Sequence, residues 1–144
     1  MNNKNILNVI MHEKYCTKLT ICGSYRYREL KEKYQAYYTI KNNVVFMPIK
    51  YMSIKEEIEK DQDPKDIAKT MASIHFKKID LSDAIIVVTG DKCYFGDDTQ
   101  KEIDYSWKMG KLILFSNVPD SEKDNYYCNN DENYPLYILK EAYI

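Results

Sequence analysis

Short apolar runs alternate along the chain with longer stretches in which apolar residues recur every three or four positions. The apolar runs predict buried strands at residues 18–22, 44–49, 84–89 and 112–116. The stretches with helical spacing predict helices at residues 25–38, from 63 to about 80–83, and at 98–109. Because the strands show no polar alternation and helices separate them, the pattern predicts an α/β domain with a parallel sheet covered on both faces.

The remaining segments carry weaker patterns. Residues 1–16 fit either a short docked helix or a partly disordered segment, and residues 50–62 fit a connection with a helical turn or two. Residues 117–133 are rich in Asn and Asp and predict a long loop. A short final helix is predicted from residue 136 to about residue 142.

Composition supports a single domain. The chain has 144 residues, of which 44% are apolar, which is enough for one core. We therefore expect one domain over residues 1–144, with residues 1–16 and 117–144 as peripheral extensions. The 21 basic and 22 acidic residues leave a net charge of -1, which argues against a nucleic-acid polymer or a membrane surface as partner. The chain shows no signal-peptide pattern and no apolar run of the roughly 20 residues that span a bilayer, so a cytoplasmic protein is expected.

The cysteines and histidines do not suggest a metal centre. The four cysteines are far apart and form no CxxC pair, and the chain has only two histidines. This spacing predicts that the cysteines are reduced thiols. Neither a metal site nor a cofactor is expected.

The first candidate site is the turn Cys22-Gly23-Ser24-Tyr25-Arg26, where the first strand meets the first predicted helix. Backbone N–H groups at a helix start attract anions, while Arg26 there faces the positive end of the helix dipole at a cost of about 0.3–1 kcal/mol. A bound anion would remove this conflict. In the alternative, Ser24 caps the helix and Arg26 points to solvent, and the residues alone favour that alternative. The glycine patterns of dinucleotide and NTPase loops are absent.

The second candidate site is the acidic loop before the third predicted helix, with Asp97, Asp98 and Glu102. A carboxylate at the mouth of a parallel sheet suits nucleophilic attack on an electrophilic carbon, and glycosidic chemistry uses a second carboxylate for the leaving-group proton. The alternative is structural. Thr99-Gln100-Lys101-Glu102 is a capping-box pattern, in which Glu102 only satisfies a backbone donor, and pattern alone favours it.

Other polar and aromatic residues carry less specific signals. His75 on the second predicted helix fits a packed residue better than an acid or base, and Asp83 fits a turn before the third strand. Five aromatic residues could stack on a base: Tyr25, Tyr27, Tyr94, Phe95 and Trp107. Trp107 has the helical spacing from Ile103 that favours a core residue instead.

Three segments, residues 21–26, 74–83 and 94–105, together resemble a known family. They fall in the order found in the nucleoside 2-deoxyribosyltransferase superfamily and are most similar to an uncharacterised bacterial branch, over roughly residues 18–116. The resemblance implies a flavodoxin-like, doubly wound sheet of four or five strands. It also implies that Glu102 attacks the sugar C1′, displaces the base and forms a glycosyl-enzyme intermediate.

The resemblance also implies which residues meet the substrate. The Cys22–Arg26 turn is similar to the phosphate-binding segment of 2′-deoxynucleoside 5′-phosphate N-hydrolases, which favours an anion site at Arg26. The resemblance assigns the nucleophile to Glu102, and Asp83, Asp97 or Asp98 is expected to assist at the base or sugar. The implied substrate-binding residues are Cys22, Gly23, Ser24, Tyr25, Arg26, His75, Asp83, Gly96 and Thr99. His75 departs from the family pattern, since characterised transferases carry a substrate-binding Asp there.

The expected function is N-glycosidic bond cleavage or transfer on 2′-deoxynucleosides or their 5′-monophosphates. The small-molecule partner would be a nucleoside or nucleotide, and the chain would form a homodimer or a larger homo-oligomer, as members of the superfamily do. An enzyme is thus favoured. The alternative is a non-catalytic nucleotide or nucleotide-sugar sensor on the same fold.

Overall fold

The computed structural model describes residues 3–12, 15–49 and 54–141. The helices are α1 (Asn3–Met11), α2 (Arg28–Ile40), α3 (Lys55–Glu59), α4 (Pro64–Asp80) and α5 (Asp97–Lys108). The strands are β1 (Lys18–Cys22), β2 (Val44–Phe46), β3 (Ala84–Val87), β4 (Leu112–Phe115), β5 (Tyr126–Cys128) and β6 (Tyr137–Leu139). Short 3₁₀ turns lie at Tyr25–Tyr27 and Asp120–Asn125.

The strands form one six-stranded sheet in the order β2-β1-β3-β4-β6-β5. The first four strands pair in parallel, whereas β6 runs antiparallel to both β4 and β5. The predicted α/β class with a flavodoxin-like sheet is confirmed. The antiparallel pair β5 and β6 extends the sheet beyond the predicted strands.

Helices cover both faces of the sheet, as the unbroken apolar strands predict. On one face, Leu19 and Ile86 pack with Ile6 of α1 and Tyr34 of α2. On the other face, residues of β3 and β1 pack with α4 and α5, and this second cluster contains Cys22, Ile79, Ile85, Val87, Phe76 and Ile103. Successive residues of each central strand therefore pack on opposite faces of the sheet, since successive side chains of a strand point in opposite directions.

The C-terminal segment differs from the prediction. The predicted final helix is wrong, because Tyr137–Leu139 forms β6, and the predicted long loop contains a 3₁₀ turn and β5. Residue 142, the predicted helix end, lies outside the described residues. Tertiary contacts decide this outcome: the Tyr34 hydroxyl donates to the Pro135 carbonyl at 2.9 Å, and the Tyr38 hydroxyl donates to Tyr134. Three-residue strands carry too little periodicity to compete with a helical pattern.

The two segments for which the sequence left alternatives open, residues 1–16 and 50–62, each contain a short helix. Residues 3–11 form α1, which docks through Ile6, Leu7 and Ile10, so the helical alternative is confirmed there. The connection between β2 and α4 contains α3, and its residues 50–53 lie outside the described residues. None of the described helices is long and apolar enough to cross a membrane.

Gly23 lets the turn after β1 pass close to the end of β3. Its φ is +138°, and a Cβ atom at this position would lie 2.4 Å from the Val88 carbonyl oxygen. Gly110 also has a positive φ, +73°, but a Cβ there would meet no atom within 4 Å. A side chain at Gly110 would therefore introduce backbone strain alone, whereas a side chain at Gly23 would also clash with the Val88 carbonyl.

We predict that Gly23→Ala destabilises the fold more than Gly110→Ala does. The positive φ alone costs about 1–2 kcal/mol at Gly110, and the contact with Val88 adds at least about 1 kcal/mol at Gly23. Urea unfolding followed by circular dichroism measures both changes in the free energy of unfolding. Equal losses for the two variants would contradict the close approach.

Candidate functional site

Three side chains from different elements converge on one nitrogen atom. Cys22 ends β1, His75 lies on α4 and Glu102 lies on α5. The Cys22 Sγ atom is 3.6 Å from His75 Nε2, and Glu102 Oε1 is 3.4 Å from the same nitrogen. All three donor atoms lie within 4.8 Å of one another.

The packing of α4 and α5 on the same face of the sheet brings these residues together. The Phe76 and Tyr105 rings join the two helices edge to face, with centroids 4.9 Å apart. Cys22 reaches this face because it lies one residue beyond Ile21, which packs on the opposite face. The cluster therefore depends on the register of β1 and on the contact between the two helices.

The cluster is largely removed from solvent. Cys22 is fully buried, His75 is 6% exposed and the Glu102 side chain is 17% exposed. Burial raises the pKa of the Cys22 thiol, and the negative charge and hydrogen bond of Glu102 raise it further, against the opposing effect of Lys31. The buried thiol is therefore protonated at neutral pH.

Lys31 is a buried cation beside the cluster. It is 4% exposed, and its Nζ donates to the Gly23 carbonyl at 3.0 Å. Burial lowers the pKa of Lys31, while the charges of Glu102 and Cys22 act in the opposite direction. Sequence reasoning missed Lys31. Its spacing with Tyr34 and Tyr38, three and seven residues later, places it on the buried face of α2 and was the available signal.

The arrangement differs from a catalytic relay. In a cysteine–histidine–carboxylate relay, the thiol and the carboxylate bind different ring nitrogens. Here both face Nε2, while His75 Nδ1 and Glu102 Oε2 are buried and have no hydrogen-bond partner among the described residues. The geometry is that of donors that point toward a shared centre.

Glu102 does not cap its helix. The capping-box interpretation is wrong, because α5 begins at Asp97 with Gly96 at the N-cap position, so Thr99 already lies inside the first turn. Thr99 is buried, whereas Asp97 and Asp98 are exposed in the first turn, where their charges suit the helix dipole. The structure thus brings Glu102, and not the two aspartates, to the cluster.

In the turn after β1, Ser24 acts as a cap and Arg26 points to solvent, which is the alternative that the residues alone favoured. The Ser24 hydroxyl accepts a hydrogen bond from the Arg26 backbone N–H at 3.2 Å and so caps the 3₁₀ turn. The Arg26 side chain is exposed. Tyr25 is held by Arg28, whose guanidinium lies 4.9 Å from the ring centroid and donates to the hydroxyl at 2.7 Å.

An open cleft lies at the carboxyl edge of β1 and β3. It has a volume of about 650 Å³ and is lined by Arg26, Tyr27, Gly90, Asp91, Lys92 and Tyr94. Gly90 permits close packing there, since a Cβ atom at this position would lie 2.7 Å from the Tyr27 ring. Lys92 was not predicted as a binding residue, because a single lysine in a polar loop belongs to no recognisable sequence motif.

Asp83 lies apart from both features. It precedes β3, at the amino edge of the sheet, and its Oδ2 accepts a hydrogen bond from the Lys18 backbone N–H at 2.9 Å. The structure therefore does not bring Asp83 to the cluster or the cleft. A more apolar groove of about 460 Å³, which includes Trp107 and Phe115, lies between α5, β4 and β6.

The chain matches, over residues 23–123, the family model described as Thoeris protein ThsB, TIR-like domain. The match covers well over half of the chain. No protein with a curated functional description matches it. The resemblance to the nucleoside 2-deoxyribosyltransferase superfamily is therefore wrong, and so is the expected N-glycosidic cleavage or transfer through Glu102.

The physical cause of this error lies in the fold. A parallel α/β sheet brings turns and helix-borne polar residues to its carboxyl edge in families with unrelated functions. The Gly23-Ser24 turn and a carboxylate on α5 are features of that edge, and they do not distinguish one such family from another.

We predict that Cys22 resists alkylation in the folded chain. Burial and the raised pKa of its thiol should make its reaction with iodoacetamide at pH 8 slower than that of exposed Cys16 by on the order of 100-fold or more. Peptide mass spectrometry, with a chelator present, measures both rates. In urea the two rates should become similar, and equal rates in the folded chain would contradict the described burial.

Proposed function

The chain belongs to the Thoeris ThsB TIR-like domain family, and on that premise we propose that it is an anti-phage signalling domain that binds a nucleotide. Family membership supports the signalling role. The cleft at the carboxyl edge of β1 and β3 is the observation that supports a nucleotide as the ligand.

The cleft combines the two kinds of group that a nucleotide requires. Arg26 and Lys92 supply positive charge for phosphate oxygens, and the guanidinium of Arg26 offers paired donors. Tyr27 and Tyr94 supply aromatic surface for a base, and Tyr94 is 58% exposed and accessible for stacking. The position agrees with the general rule that open α/β sheets bind ligands beyond the carboxyl ends of their strands.

Charge favours an anionic ligand in this cleft even though the whole chain is nearly neutral. Two cations and one carboxylate, Asp91, line the cleft, so its local charge is positive, whereas the chain carries a net charge of -1. The carboxylate can accept hydrogen bonds from sugar hydroxyls or base amino groups. A phosphate and a polar base or sugar together satisfy all of these groups.

We also propose that the signalling form is a homo-oligomer. This rests on the family, since TIR-like domains often oligomerise. Light scattering of the chain with and without AMP measures the oligomeric state, and a monomer under both conditions at micromolar concentration would contradict the proposal.

We predict that AMP binds the wild-type chain and that the double substitution Arg26→Gln, Lys92→Gln weakens binding by about thirtyfold. Loss of two charge-assisted contacts at roughly 1 kcal/mol each accounts for this size. Calorimetry in the presence of a chelator measures the affinities. Adenosine and inorganic phosphate should each bind more weakly than AMP, because each engages only half of the cleft.

The matched control for this prediction is Lys108→Gln. Lys108 is an exposed cation in the last turn of α5, at the opposite edge of the sheet. Its removal should leave AMP binding unchanged. If Lys108→Gln weakens binding as much as the double substitution does, or if the wild-type chain binds none of the three compounds, the proposed ligand site is wrong.

In bacteria that carry the gene in its native context, we predict that the double substitution at Arg26 and Lys92 abolishes protection against phage. Loss of the ligand contacts should prevent signalling, and Lys108→Gln should retain protection. Plaque counts at matched protein levels measure the effect. Full protection by the double variant would separate the signalling role from the cleft and contradict the proposed link between them.

A further inference from the structure

We propose that Cys22, His75 and Glu102 bind a single divalent transition-metal ion, with zinc as the preferred ion. This site lies beside the nucleotide cleft and is independent of the ligand proposed there. It also departs from the expectation, based on cysteine spacing, that the chain has no metal site. The three donors come from β1, α4 and α5, so only the folded chain assembles them.

Two of the three donor separations are those of ligands around one tetrahedral ion, and the third, between Cys22 Sγ and the Glu102 carboxylate, is within 4.8 Å. With Zn–S near 2.3 Å and Zn–N and Zn–O near 2.0–2.1 Å, tetrahedral geometry places sulfur and nitrogen about 3.5 Å apart and nitrogen and oxygen about 3.3 Å apart. The corresponding distances here are 3.6 Å from Cys22 Sγ to His75 Nε2 and 3.4 Å from His75 Nε2 to Glu102 Oε1. The Cys22–His75 and His75–Glu102 distances therefore both agree with tetrahedral geometry.

The donor types select a class of ion. One thiolate, one imidazole and one carboxylate suit zinc and similar borderline ions, whereas magnesium and calcium prefer a shell of oxygen atoms. Three protein ligands leave one tetrahedral position open, which is the arrangement of zinc sites that bind a further ligand. Glu102 retains 17% side-chain exposure, so the cluster has access to solvent on that side.

The cluster also contains polar atoms that its protein contacts leave unsatisfied. Glu102 Oε2 and His75 Nδ1 are buried and have no hydrogen-bond partner among the described residues, and His75 as a whole is 6% exposed. Burying such atoms is costly, because each gives up its contacts with water. A metal ion held by Glu102 and His75 would offset part of this cost through its bonds to both side chains, and it gives the convergence on His75 Nε2 a physical reason.

Lys31 is the charged group that opposes a cation here. Its ammonium already balances the Glu102 carboxylate, and its Nζ is held by the Gly23 carbonyl at 3.0 Å. On binding, the Cys22 thiol releases its proton to solvent, so that the thiolate and the carboxylate together balance the charge of a divalent ion. The ion and its two anionic ligands are then neutral together, and the Lys31 ammonium keeps one positive charge beside them, where its Nζ donates to the Gly23 carbonyl.

The test uses the full chain without an affinity tag, first stripped of metal with a chelator that is then removed. Calorimetry with zinc sulfate should show one equivalent bound. Cobalt(II) should give the visible bands of a tetrahedral site and a near-ultraviolet sulfur-to-cobalt charge-transfer band. Cys22→Ser, His75→Gln and Glu102→Gln should each weaken zinc binding by at least the roughly 10–100-fold that loss of an outer-shell partner costs.

The matched control retains Cys22 and replaces the other three cysteines by serine, at Cys16, Cys93 and Cys128. This variant should bind one zinc ion as tightly as the wild-type chain does. Equal zinc affinity in Cys22→Ser, or no stoichiometric binding by the wild-type chain, would overturn the proposal. If a ligand variant does not fold, the wild-type cobalt spectrum decides, since a complex without the sulfur band would also overturn it. AMP affinity is measured with a chelator present, so its failure would be distinguishable from failure of the metal site.

Discussion

The parallel pairing of β1 with β3 positions both the carboxyl-edge cleft and the buried cluster around Cys22. Four residue pairs, from Leu19 with Ala84 to Cys22 with Val87, align the two strands, and the Val88 N–H then donates to the Cys22 carbonyl at 2.9 Å. This register places the turns that follow both strands at one edge, where they form the cleft. It also directs Cys22 toward α4 and α5. A shift of one residue would turn Cys22 to the opposite face.

The central fold was predictable because its signals are local. Unbroken apolar strands require cover on both faces, and Asp63 with Pro64 marks the start of α4, where the Asp63 carboxylate accepts from the Lys65 N–H at 2.8 Å. The edge of the sheet was not predictable in the same way. Strands β5 and β6 have three residues each, and contacts with Tyr34 and Tyr38, about a hundred residues earlier in the chain, hold the segment beside them.

The candidate site was predicted only in part. Glu102, His75 and Cys22 were each singled out, but no spacing in the sequence shows that three residues so far apart meet at one nitrogen atom. Lys31 escaped notice because a lysine on a helix is usually exposed, and here burial beside Glu102 overrides that tendency. The expectation that the chain is an enzyme stays a prediction, whereas the reaction expected from the earlier resemblance is wrong.

The proposed function requires that the carboxyl edge of β1 and β3 recognises a nucleotide. Amide chemical-shift mapping during a titration of the ¹⁵N-labelled chain with AMP tests it most directly. We predict saturable shifts at Arg26, Tyr27 and the loop from Gly90 to Tyr94. Shifts confined to the groove around Trp107 and Phe115, or no saturable shifts at all, would contradict it.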